Sequence, residues 1–257
     1  MANNSRWKHI WITGASSGIG QELATDLAKQ GSTVSASARS QDKLEELARS
    51  NANVSPHAVD VADPAAVALA YARLEDQNGP VDLAILNAGV WAPSESGALE
   101  MEEFGRSMSI NYLGVTNALV PLLGSMRARG RGHIVIVASV AGYRGLPKGA
   151  YYGPTKAALI NLCESLYPDL RRAGIKLQVV NPGFVRTPMT DVNRFPMPFL
   201  METDDAVRAL IAGLDSNRFE IAFPWQLVWS LKLARILPYA AFFSFVRNVI
   251  ARDKHDA

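Results

Sequence analysis

Short apolar, β-prone runs recur along this chain at residues 8–13, 32–38, 53–59, 82–86, 133–138 and 176–180, separated by helix-like stretches of ten or more residues. Alternation of this kind predicts an α/β fold in which a doubly wound parallel sheet is covered by helices on both faces. After the first strand the chain reads TGASSGIG over 13–20 and opens a helical stretch that ends near Gly31, giving strand, glycine loop and helix in succession. The run 183–200 follows Pro182 and carries Pro188, Pro196 and Pro198, so it forms neither a central strand nor a continuous helix. It is expected to be a long loop, and loops of that length often serve function.

With 257 residues and 48% hydrophobic content the chain can bury one large core, and no repeat or low-complexity linker divides it, so residues 1–257 are expected to be a single domain. A formal net charge of +2 and the lack of a long Lys/Arg run argue against nucleic acid as a partner. Cys163 is the only cysteine, which excludes an internal disulfide and suits a cytoplasmic setting; within a helix it reads as a small buried hydrophobe. The opening MANNSRWKHI runs directly into an apolar strand without a signal-type core, so no N-terminal secretion signal is expected. His9, His57, His133 and His255 lack zinc-ligand spacing and no G-x-S-x-G turn occurs, so neither a metal site nor a hydrolase is expected.

Two features carry candidate chemistry. Gly14, Gly18 and Gly20 form a turn between strand and helix, where a backbone free of side chains can approach a pyrophosphate while the helix N-terminus presents free N–H groups. Their G-x-x-x-G-x-G spacing differs from the commoner G-x-G-x-x-G, and three glycines alone also suit an ordinary βα turn. Tyr152 and Lys156 stand at i and i+4, on one helix face, where an ammonium would lower a phenol from its usual value near 10. Tyr151 has Thr155 at that offset instead, and Pro154 suits only a first turn, so the pair is expected at a helix start. Ser139 follows the strand at 133–138, at the carboxyl end where open α/β sheets bind ligands.

These motifs resemble those of the short-chain dehydrogenase/reductase family. TGASSGIG is followed, in that family's order, by Asp60-Val61, by Asn87-Ala88-Gly89, by Ser139 with Tyr152 and Lys156, and by Asn181-Pro182-Gly183 with Thr187. The resemblance spans about residues 8–190 and departs at Leu86, where the family usually has a further Asn. It implies a Rossmann-type fold with a nicotinamide cofactor along Gly14, Ser16, Ser17, Gly18, Ile19 and Gly20. It further implies that Asp60, beside Val61, holds the adenine, that Asn87, Ala88 and Gly89 pass the ribose, and that Pro182, Gly183, Val185 and Thr187 line the nicotinamide beside Tyr152 and Lys156. The implied catalytic set is Asn111, Ser139, Tyr152 and Lys156: Tyr152 exchanges a proton with the substrate oxygen, Ser139 hydrogen-bonds that oxygen, and Asn111 helps hold a relaying water. Asn111 could equally serve as a backbone-binding or packing group.

Cofactor choice turns on the end of the second strand, where a carboxylate would bind the ribose hydroxyls of NAD. Ser37, Ala38 and Arg39 stand there instead, and a guanidinium suits the extra phosphate of NADP(H), although an arginine at a strand end is commonly just a solvated charge. In residues 184–213 the expected substrate loop holds Met189, Phe195, Met197, Phe199, Leu200 and Met201, which either line a pocket for a hydrophobic, lipid-like or steroid-like carbonyl or alcohol or pack the loop on the core. Residues 221–257 read as an apolar C-terminal extension whose charge-free stretch, 236–246, falls short of the ~20 residues of a spanning helix. A subunit interface of a homodimer or homotetramer ranks first for it, ahead of peripheral membrane contact through Trp225 and Trp229 or a flap over substrate. The functional expectation is an NADP(H)-dependent oxidoreductase; the rival is a non-catalytic NADP(H)-binding sensor or scaffold on the same fold.

Overall fold

A computed structural model describes residues 6–95 and 97–247; His255 and the end of the expected tail, 248–257, lie outside the described residues. Seven parallel strands form one sheet in the order β3-β2-β1-β4-β5-β6-β7. They are β1 (His9–Thr13), β2 (Thr33–Ala38), β3 (Val54–Ala58), β4 (Leu83–Leu86), β5 (Gly132–Val137), β6 (Ile175–Pro182) and β7 (Glu220–Phe223). Nine α-helices accompany them among the described residues: α1 (Gly18–Lys29), α2 (Gln41–Ser50), α3 (Pro64–Asn78), α4 (Met101–Met108), α5 (Gly114–Arg129), α6 (Gly153–Arg172), α7 (Thr203–Leu214), α8 (Trp225–Ile236) and α9 (Tyr239–Phe245). The doubly wound parallel sheet is therefore present, with every strand expected from the sequence placed within two residues of its expected start.

Each central strand serves two cores because side chains alternate across a strand. Trp11, Ala84, Leu86, Ile134 and Ile136 point to a layer formed with α3, α5, α6 and α8. Ile10, Ile12, Leu83, Ile85, Val135 and Val137 point to the other, formed with α1, α2 and α7. Local signals set the helix boundaries: Asp63 caps α3 by accepting from the backbone N–H groups of Ala65 and Ala66, both at 2.9 Å, and Pro64 occupies its first turn. Pro154 likewise stands in the first turn of α6, two residues after Tyr152, as expected.

The carboxyl-terminal reading needs correction. Residues 221–223, taken from the sequence as the start of an extension, belong to β7, the edge strand paired with β6, and Leu227, Val228, Leu231 and Ala234 of α8 are buried in the main core. The strand escapes sequence reading because it has only four residues and begins on Glu220. The proline-bearing run 183–200 contains no helix or strand, and an isolated bridge between Val185 and Met201 ties its end back to the sheet.

Candidate active site

The strand order reverses direction between β1 and β4, and the crevice outside the carboxyl ends of the strands is where an open α/β sheet binds ligands. A cleft of about 310 Å³ lies there. Its wall gathers Gly14, Ser16, Ser17, Gly18, Ile19, Arg39, Asp60, Val61, Asn87, Ala88, Gly89, Ser139, Tyr152, Lys156, Pro182, Gly183, Val185 and Thr187, so six strand ends bring together nearly the whole expected set. Gly20 and Asn111 stand behind it.

The glycine turn is shaped by close backbone approach. A Cβ on Gly20 would lie 2.3 Å from the Gly14 carbonyl oxygen, and one on Gly14, whose φ is +71°, would lie 2.7 Å from Ala88 Cα. Asn87 fastens this turn: its Nδ2 donates to the carbonyls of Thr13 and Gly14, both at 3.3 Å, while Thr13 Oγ1 accepts from the N–H groups of Asn87 and Ala88 at 3.1 and 3.2 Å. Thr13 was not singled out from the sequence, though it opens the TGASSGIG motif. The resulting bare cradle fits a dinucleotide, because a pyrophosphate needs backbone N–H groups unshielded by side chains at a helix N-terminus.

At the other end of the cleft, Ser139 caps a short 3₁₀ turn (Val140–Gly142), its Oγ accepting from the Ala141 N–H at 3.1 Å. Lys156 is 2% exposed and donates from Nζ to the Val137 carbonyl at 2.8 Å; the same Nζ lies 5.4 Å from the centre of the Tyr152 ring. Burial pushes Tyr152 up to about 12, with the Ser139 hydroxyl opposing that rise, and burial pulls Lys156 down to about 7. The depression of the phenol by its lysine, expected from the i, i+4 spacing, is thus not what this arrangement gives. The ammonium is spent on a backbone carbonyl, and desolvation favours the neutral form of both groups.

Asn111 sits in a π-helical turn, Ser109–Leu113, between α4 and α5, a local irregularity that often marks functional sites. It is wholly buried; its Oδ1 accepts from Val90 N–H at 2.7 Å and its Nδ2 donates to the Val90 carbonyl at 3.0 Å and to Thr155 Oγ1 at 3.1 Å. Thr155 in turn donates to the Tyr152 carbonyl at 2.7 Å. Both amide protons are therefore used in bracing the segment after β4 against the start of α6, the backbone-binding alternative for this residue.

Arg39 is exposed on the cleft rim just past β2, while Ser37 is buried and accepts from Trp11 Nε1 at 2.9 Å. On the substrate side, Trp91 meets the Tyr152 ring edge-on at 5.3 Å, Phe195 lies 6.5 Å from Trp91 and 6.1 Å from Phe184, and Met189 lines the cleft. Trp91, missed from the sequence, stands two residues after the Asn87-Ala88-Gly89 turn and donates to Asn193 Oδ1 at 2.9 Å. The loop divides its apolar residues: Met201 packs against the core, whereas Phe199 is 51% exposed. Cys163 is fully buried with its thiol pushed up to about 12, as a small core residue should be.

The family model described as short chain dehydrogenase matches residues 8–196. The chain belongs to the short-chain dehydrogenase/reductase family. Within this family of oxidoreductases it is 38% identical over 242 residues to an uncharacterized oxidoreductase of Myxococcus xanthus, covering 93% of this chain and 96% of that protein. It is 36% identical over 187 residues to 2-(R)-hydroxypropyl-CoM dehydrogenase of Xanthobacter autotrophicus, covering 70% and 75% of the two chains. Among solved structures, 3-ketoacyl-(acyl-carrier-protein) reductase from Brucella melitensis complexed with NADH superposes with a TM-score of 0.79 at 27% identity, covering 86% of this chain and 98% of that one. The fold is accordingly one that holds a nicotinamide cofactor.

Proposed function

We propose that this short-chain dehydrogenase/reductase interconverts a hydrophobic carbonyl compound and its secondary alcohol with NADP(H). The observation that carries this reading is the convergence of Ser139, Tyr152 and Lys156 on the end of a cleft whose other end is the glycine cradle. The nicotinamide, when bound, supplies or accepts the hydride. Tyr152 does the proton work: with its phenol up at about 12 it is neutral at pH 7, so it can donate to an alkoxide, which is far more basic than the phenolate left behind. Ser139 offers a hydrogen bond to the same oxygen as charge develops on it. Lys156, with its ammonium brought down to about 7, can return a proton to the phenolate near neutral pH. Asn111 acts through Val90 and Thr155, as a positioning residue.

Preference for the phosphorylated cofactor rests on Arg39 at the end of β2, where no carboxylate stands. Preference for an apolar substrate rests on Trp91, Phe195, Phe184 and Met189 beside Tyr152. The test is oxidation of NADPH, with NADH in parallel, against a series of ketones of rising chain length, for the native chain and Tyr152→Phe. Turnover should rise with chain length and fall by about 10²–10⁴-fold in Tyr152→Phe while NADPH binding persists. Tight NADPH binding with no turnover on any ketone would instead favour the sensor or scaffold reading.

A further inference from the structure

Helix α8 is apolar on two faces. Leu227, Val228, Leu231 and Ala234 are buried, yet Trp225, Trp229, Leu233 and Ile236 on the opposite side are 68%, 61%, 59% and 78% exposed. At about 100° per residue these four fall within an arc of about 80°. α9 continues the surface with Tyr239 and Phe243, 73% and 60% exposed, their rings stacked at 5.9 Å. A helix apolar all round is ordinarily an interior helix, and a contiguous exposed patch of this kind marks a contact surface.

The face is built into the fold. Arg144, five residues beyond Ser139, donates to the carbonyls of Ala234, Arg235 and Leu237 at 2.8, 2.7 and 3.0 Å, and its guanidinium lies 4.0 Å from the centre of the Phe242 ring. Lys232 pairs with Glu220 of β7, which also accepts from Tyr143 and Asn181. These ties hold α8 and α9 with the aromatic side outward.

Charge selects the occupant. From residue 221 to 247 the chain has no Asp or Glu and three basic residues, Lys232, Arg235 and Arg247. Two copies docked face to face on a two-fold axis would bring two acid-free segments together, with no carboxylate from either segment to meet the other's cations. Lys232 is held by Glu220, but a bilayer bearing anionic lipid offers phosphate oxygens to Arg235 and Arg247, and its boundary between water and hydrocarbon is where Trp and Tyr rings settle. No helix among the described residues is long and apolar enough to cross a membrane, so the contact would be with the surface.

We propose that Trp225, Trp229, Leu233, Ile236, Tyr239 and Phe243 form a docking face for an anionic membrane surface, with α8 lying along the interface. The inner side of the same helix meets the candidate active site: a Cβ on Gly183 would lie 2.7 Å from Leu227 Cδ2 and 3.0 Å from Pro224 Cδ. One helix thickness, about 10 Å, thus separates lipid from the nicotinamide side of the cleft. Docking would let the enzyme take apolar carbonyl compounds from the lipid phase, a consequence that rests on the proposed reaction, whereas docking itself does not.

The experiment is flotation of the full chain with phosphatidylcholine vesicles, with and without phosphatidylglycerol. The native chain should float with the anionic vesicles, less with phosphatidylcholine alone, and less again as salt is raised. The Trp225→Ser/Trp229→Ser variant should lose roughly tenfold in partitioning per tryptophan removed. Its NADPH-dependent reduction of a dissolved ketone should be unchanged. A Leu233→Gln/Ile236→Gln variant, checked for native circular dichroism, should show the same loss and guards against misfolding of the first. Failure of the native chain to float with any vesicle overturns the proposal. So does light scattering that shows a native dimer made monomeric by the tryptophan replacements without any vesicle binding, since the face would then be a subunit interface. Absence of ketone turnover in the native chain would strike the proposed reaction and leave the flotation result standing.

Discussion

A phenol held neutral and a lysine held close to its own midpoint make an asymmetric pair. Tyr152 at about 12 cannot serve as a standing phenolate near pH 7, whereas Lys156 at about 7 can gain or lose a proton at little cost there. At the opposite end of the cleft, Arg39 is exposed on the rim, with no described carboxylate within salt-bridge distance. Its expected role is therefore cleanly testable. Arg39→Ala should raise the Kd for NADPH by about 10–100-fold, the loss of one or two charge-assisted hydrogen bonds, and leave NADH nearly unaffected; parallel fluorescence titrations measure both. Equal weakening of the two cofactors would remove the phosphate assignment.

At the scale of elements, the site depends on how closely the β1–α1 turn lies against the end of β4. Asn87 and Thr13 hold the two together, and Gly20 admits no side chain because the Gly14 carbonyl fills the space. Gly20→Ala should cost about 1–3 kcal/mol in urea unfolding, since the obstacle is backbone that cannot rotate aside, and cofactor affinity should fall with it. A stability change without any change in affinity would mean that the turn relaxes away from the cofactor. The π-helical turn at Ser109–Leu113 is a comparable device: it places Asn111 to bind Val90 and Thr155, so that α6 starts with Tyr152 and Lys156 facing the cleft.

Over the whole molecule, buried histidines cross-link neighbouring strands of the sheet, and one of them, His9, also reaches the end of α3. His133 is 4% exposed and shares a hydrogen bond with Gln178 at 2.8 Å, and desolvation takes it from 6.5 down to about 3. His9, bonded to the Gly79 carbonyl at 2.6 Å and to Ser35 Oγ at 2.8 Å, is lowered for the same reason. Because the unfolded chain binds these protons first, the histidines' share of stability is fully present above pH 6.5 and is lost as pH drops toward 3, by up to about 1.4 kcal/mol per unit for His133. Urea midpoints measured from pH 7 to pH 4.5 should show that slope, and His133→Gln should flatten it even if the whole curve moves down. An unchanged slope in the variant would place the acid sensitivity elsewhere.

The alternation of apolar runs and helical stretches by itself determined the doubly wound sheet, because strands buried on both faces must be apolar at consecutive positions and short crossovers must be helical. The order of the glycine, Asn87, Ser139, Tyr152 and Lys156 motifs likewise determined where the cleft would lie, since side chains at the carboxyl ends of parallel strands have one crevice to share. Tertiary structure alone decided the rest. Whether Tyr152 rises or falls depends on the surrounding desolvation and on the Ser139 hydroxyl that opposes it, neither of which the spacing of Tyr152 and Lys156 contains. Whether Asn111 binds water or backbone depends on a π turn that brings Val90 within reach from 21 residues away. Which apolar residues after Gly183 meet Trp91 and which meet the core, and that the supposed tail begins as the seventh strand, depend on long-range pairing with β6, because a four-residue strand has no stable local preference of its own.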